Sequence, residues 1–221
     1  NNKLKKVSRK KLAELQSISK QLASLNYVRN QEWDVEHREN IKQAVLAFKG
    51  DVYIGLEAEK WSERDMEFAN SHLRILSGLY GVLKPSDLIQ PYRLEMGTSL
   101  AVGRRKDLYH FWGDKIKAYF KENIDPAETV INLASVEYFK AVEKAGIKNP
   151  VLSVEFKDFS NGDFKVVSFF AKKARGMMAN YIIQNELTLV DELKAFNTAG
   201  YYFDAKESTD TNYVFLRDQQ Q

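Results

Sequence analysis

The stretch VLSVEFKDFSNGDFKVVSFF at residues 151–170 decides the fold class. Apolar residues dominate both of its ends, and the tetrapeptide SNGD at residues 160–163 lies between them. Asn-Gly between two apolar runs is a strong signal for a β-hairpin, because the tight turn needs residues that tolerate positive φ. We therefore predict two paired strands, at residues 151–156 and 164–170.

Helical periodicity elsewhere makes the chain α+β. Five apolar residues near the N-terminus recur at steps of three and four and describe one face of a single helix, which can pack inside the monomer or against a second copy: Leu12, Leu15, Ile18, Leu22 and Leu25. Similar patterns predict helices at 36–48, 62–76, 107–120, 135–145 and 174–185, strands at 51–54, 129–133, 201–203 and 213–216, and an extended segment at 88–97. We predict one compact mixed α/β domain over residues 1–221, with a mixed sheet and neither a Rossmann nor a TIM fold.

A second informative stretch is LSGLYGVLKPSDL at residues 76–88, where Gly78 and Gly81 interrupt an apolar helical pattern that can restart after Pro85. The pattern predicts a helix-hairpin-helix-like element over about residues 63–90. Glycine lacks a Cβ, so backbone amides at such a turn can bind a phosphate oxygen, with Lys84 beside them. A tight turn between helices that serves packing alone explains the same spacing.

The composition excludes several kinds of site. The chain has no cysteine, which removes disulfides and thiolate metal sites and agrees with a reducing cytosol. Its three histidines have no ligand-pair spacing, and no phosphate-loop or dinucleotide motif occurs, so we predict no metal and no cofactor. We expect no membrane span, since no apolar run is long enough. Because the chain does not begin with Met, we expect it to start inside a longer protein.

The basic residues are clustered although the net charge is only +3. Six cations crowd the first eleven residues, three more occupy residues 104–106, and three occupy residues 172–175. Any one cluster is explained as solvated surface. Together they suggest a polyanionic partner.

Two polar groups follow apolar strands in the predicted fold, where open sheets place ligands. They are predicted to line one cleft and consist of Tyr92, Arg93, Glu95, Asn132, Ser135, Glu137, Tyr138 and Lys140. An ion-pair network that locks the core explains the same residues. Ser135 and Lys140 can be read as a nucleophile and a base, but a serine before a helix is more commonly an N-cap, so no catalytic residue is assigned.

Six blocks of the chain carry a resemblance to a known family. They are AVLAFKGDVYIGL (44–56), HLRILSGLYGVLKP (72–85), QPYRLEMG (90–97), DLYHFWGD (107–114), NLASVEYFK (132–140) and KKARGMM (172–178). In order and spacing they resemble the YaaA family of bacterial peroxide stress proteins. Two departures stand out: the family's N-terminal strand with a Ser-Pro-Ala-Lys segment is absent, and its usual G-x-G is Gly78-Leu79-Tyr80-Gly81 here.

The resemblance implies a cytoplasmic protein that lowers free intracellular iron during exposure to hydrogen peroxide and so limits oxidative damage. It also implies binding of double-stranded DNA through a helix-hairpin-helix element and a positively charged cleft. Joined to the basic clusters, it predicts contacts to the DNA backbone, largely without sequence specificity, from Arg74, Gly78, Gly81, Lys84, Arg93, Lys172, Lys173 and Arg175. The alternative is an enzyme acting on a small anionic or nucleobase-like substrate in the polar cleft.

Overall fold

The computed structural model describes residues 1–36 and 39–218. Contacts between Cα atoms group the chain into two units. The first unit comprises Asn1–Ala47, Arg74–Ile124 and Val136–Ile147, and the second comprises Phe48–Leu73, Asp125–Ser135 and Lys148–Gln221. The predicted α+β class with a mixed sheet is confirmed. That residues 1–221 form a single domain stays a prediction.

The elements follow one another in a mixed order. The helices are α1 (Asn2–Lys5), α2 (Arg9–Gln16), α3 (Lys20–Glu32), α4 (Ala44–Ala47), α5 (Asp51–Leu56), α6 (Glu63–His72), α7 (Leu108–Asn123), α8 (Val136–Ala145) and α9 (Ser168–Gln184). The strands are β1 (Lys42–Gln43), β2 (Ile75–Ser77), β3 (Gly81–Leu83), β4 (Leu88–Ile89), β5 (Val130–Asn132), β6 (Val151–Ser160), β7 (Asp163–Lys165), β8 (Tyr201–Thr209) and β9 (Asn212–Arg217). Short 3-10 turns cover Ala58–Lys60, Val190–Ala195 and Thr198–Gly200.

The first unit combines helices with two small antiparallel ladders. Strand β1 pairs with β4, and β2 pairs with β3. Asp107 precedes α7 and caps it by accepting the backbone N–H of His110 at 2.8 Å. Helix α7 packs against α8.

The second unit is built on a five-stranded sheet in the order β5-β6-β9-β8, with β7 paired to β6. The pairs β5/β6 and β6/β9 are parallel, whereas β8/β9 and β6/β7 are antiparallel. This order differs from the parallel sheets of the Rossmann and TIM folds. Its core centres on Phe156, which stacks on Phe215 with 5.4 Å between ring centroids. Buried Asp158 pairs with Arg217 at 2.6 Å at the end of the same sheet.

Helices α5 and α9 of the second unit touch backbone to backbone. A Cβ on Gly55 would lie 2.1 Å from the carbonyl oxygen of Lys173, and one on Gly176 would lie 1.9 Å from that of Val52. Contacts this short leave room only for hydrogen at both positions. The strand predicted at residues 51–54 is wrong: the segment is helical in α5 and packs directly on α9.

The helix-hairpin-helix prediction is wrong for the residues that follow His72. Helix α6 is confirmed, and it begins with a capping box between Ser62 and Asp65. The next elements are strands, however: Ile75 pairs with Leu83 in an antiparallel ladder. Burial in β2 and in β3 alternates, the two outer residues of each strand being buried and the middle one partly buried, which is the two-residue period of a strand.

Three further predictions need correction. The single N-terminal helix is two helices, because Ser17 adopts φ of 51° and Ser19 then caps α3 by accepting the Leu22 amide. Of residues 36–48, only 44–47 are helical in α4, and residues 37 and 38 lie outside the described part. The strand predicted at 164–170 ends at residue 165 and α9 begins at residue 168.

The other predicted elements, α7, α8, α9, β5, β6, β8 and β9, are confirmed. Within residues 1–36 and 39–218, no helix combines the length and the apolar character that crossing a bilayer requires.

Candidate nucleic-acid interface

The β2–β3 hairpin contains the two glycines predicted to help bind phosphate. A Cβ on Gly78 would lie 2.3 Å from the carbonyl oxygen of Leu94. Gly81 has φ of +82°, and a Cβ there would lie 2.7 Å from the ring of Trp112. The indole Nε1 of Trp112 donates a hydrogen bond of 2.9 Å to the carbonyl oxygen of Gly78. Both glycines are therefore explained by close packing and backbone conformation.

Two backbone amides of the β2–β3 turn, those of Leu79 and Tyr80, bond within the protein. Ser77 Oγ accepts the N–H of Leu79 at 3.2 Å and that of Tyr80 at 3.0 Å, and it lies 2.6 Å from the hydroxyl oxygen of Tyr92. Amides held in this way are not directed at a phosphate. Lys84 is exposed and follows β3 at the end of the ladder away from the turn, so a phosphate contact there would come from its side chain and not from the turn.

Arg74 and Arg93 flank the hairpin in the sequence. The guanidinium carbon of Arg74 lies 5.9 Å from the centroid of the Tyr119 ring, within cation–π range. Arg93 donates from Nη2 to Glu95 at 2.7 Å, and both of these side chains are about half exposed. An exposed pair of this kind contributes little to stability. Arg93 can therefore exchange Glu95 for a phosphate at small cost.

Four of the predicted cleft residues, Tyr92, Glu95, Glu137 and Tyr138, come together in the first unit. Glu137 Oε1 accepts the backbone N–H of Gly97 at 2.7 Å. Burial, with the carboxylates of Glu137 and Glu95 as further causes, raises the pKa of Tyr138 to about 12. Burial likewise raises the pKa of Tyr92. Protonated phenols and a carboxylate bonded to backbone favour a structural network over a catalytic one.

The remaining cleft residues are divided between the units. Lys140 belongs to the first unit, where its Nζ lies 5.3 Å from the centroid of the Tyr109 ring. Asn132 and Ser135 belong to the second, where Asn132 Oδ1 accepts the backbone N–H of Ala134 at 3.1 Å. The predicted cleft set is thus not one cluster within either unit.

The second unit also holds the basic cluster of α9. Lys172 is exposed and Lys173 is half-buried. Arg175 donates to the carbonyl oxygen of Ala134 at 2.9 Å and to that of Ala171 at 3.3 Å. Burial lowers the pKa of Arg175. Its guanidinium thus holds the segment after β5, and the lysines are the residues of this cluster that suit an external anion.

Charge is distributed unevenly between the units. The first unit carries 21 Lys and Arg against 12 Asp and Glu, a formal charge of +9. The second carries 12 Lys and Arg against 18 Asp and Glu, a formal charge of −6. The small net charge of the chain conceals this difference. By its formal charge, the first unit is suited to a polyanion and the second is not.

The sequence analysis missed a recess in the first unit. Helices α7 and α8 line a space of about 330 Å³ whose cations are Arg105, Lys117 and Lys144. Lys117 and Lys144 belong to no basic run. A signal was nevertheless present, since Gly113 lies inside the predicted helix 107–120 and glycine weakens helix interiors.

Comparison with known proteins decides the family. A family model described as peroxide stress protein YaaA matches residues 1–207. The chain belongs to the YaaA family. The resemblance drawn from the six sequence blocks is thereby confirmed.

Two similar proteins come from Aliivibrio fischeri strains MJ11 and ATCC 700601 / ES114, and both are named as UPF0246 proteins. Each is 51% identical over 212 residues, which cover 95% of this chain and 82% of the relative. The link to peroxide stress comes from the description of the family model that matches this chain.

Proposed function

We propose that this protein binds double-stranded DNA through the phosphate backbone, largely without reading sequence, and acts against peroxide stress in the bacterial cytoplasm. The observation that carries the proposal is the formal charge of +9 on the first unit, against −6 on the second. Phosphates dominate the affinity of proteins for nucleic acid, and clustered Lys and Arg are the electrostatic footprint of such binding.

The proposed contacts in the first unit are side chains. Lys84 is exposed next to β3, and Arg93 forms an exposed ion pair with Glu95. Arg74 would add a further positive charge. Gly78 and Gly81 act by keeping the hairpin compact. Contacts of this type position DNA without specifying sequence.

The α9 lysines form a second proposed contact region, which we rank below the first. Lys172 and Lys173 lie in a unit of net negative charge. Duplex affinity should fall less in a variant with Lys172→Glu and Lys173→Glu than in one with two reversals in the first unit.

The salt dependence of duplex affinity tests the proposal. Fluorescence anisotropy of two short duplexes of unrelated sequence should give similar affinities, because phosphates are common to both. The logarithm of the association constant should fall with the logarithm of salt concentration, with a slope of about −0.9 for each phosphate neutralised. A salt-independent affinity, or binding to one duplex alone, contradicts the proposal.

We propose that the protein limits oxidative damage by binding DNA. Iron(II) and hydrogen peroxide nick supercoiled plasmid, and saturating wild-type protein should lower the nicked fraction. A variant with Lys84→Glu and Arg104→Glu, both at exposed sites, should protect less. Equal protection by the two proteins would assign the effect on iron chemistry to an activity separate from DNA binding.

A further inference from the structure

We infer that the recess between α7 and α8 is a binding site for the phosphate monoester group of a small molecule. This site is distinct from the DNA contacts proposed at Lys84 and Arg93. It lies wholly within the first unit, and its volume of about 330 Å³ falls at the lower end of the range for ligand pockets. The volume suits a ligand about the size of a sugar phosphate or a mononucleotide.

The charge of the recess matches a dianion. Arg105, Lys117 and Lys144 line it, and the opposing carboxylate in the lining is Asp114, which accepts from Arg105 Nη2 at 2.8 Å. Lys144 is placed by the Tyr109 ring, whose centroid lies 5.7 Å from its Nζ. Asp107, which bonds to His110 of the lining, is a second carboxylate beside the recess. Three cations against these two carboxylates leave a net positive charge, which favours a phosphate monoester, with a charge of about −1.5 to −2 at neutral pH, over a neutral ligand.

His110 adds a directional group to the lining. Its Nδ1 lies 2.6 Å from Asp107 Oδ1, which also accepts the backbone N–H of His110 at 2.8 Å. Burial alone would raise the pKa of Asp107, but these hydrogen bonds outweigh burial and hold the pKa below its ordinary value. With Nδ1 engaged by a carboxylate, Nε2 is the nitrogen left to meet a ligand.

Gly113 supplies independent evidence that the space is kept open. It lies inside the 16-residue helix α7 and lines the recess. A Cβ there would meet no atom within 4 Å, so packing does not require glycine, in contrast to Gly78 and Gly176. Glycine is unfavourable in a helix interior relative to alanine. A ligand that approaches the α7 backbone accounts for its presence.

Calorimetric titration of the full chain tests the site. The probes are inorganic phosphate, glucose 6-phosphate and thymidine 5′-monophosphate, with thymidine as the uncharged comparison. We expect at least one phosphate to bind and thymidine not to bind. Lys117→Ala and Lys144→Ala should each weaken that binding by about tenfold, the usual effect of losing a charge-assisted contact. Lys121→Ala, an exposed change on the same helix, should leave binding unchanged.

Gly113→Ala distinguishes an effect on binding from an effect on folding, because the melting temperature should rise while the affinity for phosphate falls. The new methyl group should raise the melting temperature by strengthening α7 and should weaken phosphate binding by occupying the recess. The inference is overturned if none of the phosphates binds, if Lys117→Ala and Lys144→Ala bind as the wild type does, or if Gly113→Ala raises the melting temperature with unchanged affinity.

A duplex titration distinguishes a small ligand from the DNA backbone as the source of the phosphate. If the recess takes small monoesters, Lys117→Ala and Lys144→Ala should leave duplex affinity nearly unchanged. If they weaken duplex binding and not monoester binding, the recess belongs to the DNA surface and the inference fails. Phosphate binding without any duplex binding would instead refute the proposed function and leave this site standing.

Discussion

Gly176 and Gly113 show that two glycines in helices of one chain have opposite reasons to be there. At Gly176 a Cβ would overlap the Val52 carbonyl oxygen, whereas at Gly113 it would meet open space. The first glycine lets helices α5 and α9 touch. The second leaves a cationic recess uncovered. The sequence alone does not distinguish these two roles of glycine, because they depend on atoms of residues that are distant along the chain.

We predict opposite effects of alanine at these two positions. Gly176→Ala should destabilise the fold by about 1–3 kcal/mol or more, the range for overpacking. Gly113→Ala should stabilise it by about 0.5–1 kcal/mol, because alanine is the better helix former. Urea denaturation followed by circular dichroism measures both. A Gly176→Ala protein as stable as the wild type would refute the close contact of α5 with α9.

The start of a helix was predicted best where capping residues mark it in the sequence. Ser62 with Asp65 three residues later has the spacing of a helix N-terminus, and the pair opens α6. The β2–β3 hairpin was missed because three residues are too few for an alternation to be recognised from sequence alone. Trp112, which packs on Gly81 at the start of β3, is also distant in sequence. For α5, Val52 and Ile54 favoured a strand by propensity, and packing on α9 overrode it.

The capping box of α6 makes a pH-dependent contribution to stability. Hydrogen bonds from the side chain and backbone of Ser62 lower the pKa of Asp65 from its ordinary value of 3.8. A carboxyl whose folded-state pKa is depressed stabilises the fold above the unfolded value and loses that effect as pH falls through the folded value.

We therefore predict that Asp65→Asn costs about 0.3–1 kcal/mol at neutral pH, the range for a charge at a helix N-terminus. The difference from the wild type should shrink as the pH falls below 3.8. Urea unfolding at a series of pH values measures it, with Glu67→Gln on the same helix as the control. A difference that does not change with pH would contradict the role of the Asp65 charge.

At the scale of the whole molecule, the clearest feature is the separation of charge between the two units. The basic clusters were visible in the sequence, and the family was recognisable from its motifs. Which clusters share a unit depends on contacts among three separate segments in each unit, so the formal charges of +9 and −6 emerge only from the fold. The predicted site was divided for the same reason, with Asn132 and Ser135 in one unit and Glu137 in the other.

The measurement that tests the central claim most directly compares duplex affinity in two double variants with the same change in charge. One carries Lys84→Glu and Arg104→Glu in the first unit, and the other carries Lys165→Glu and Lys206→Glu in the second, all at exposed sites. We predict that the first variant binds a short duplex more weakly than the wild type, with a salt slope shallower by about 1 for each lost phosphate contact. The second should bind nearly as the wild type does. Equal affinities in the two variants would contradict DNA binding by the basic unit.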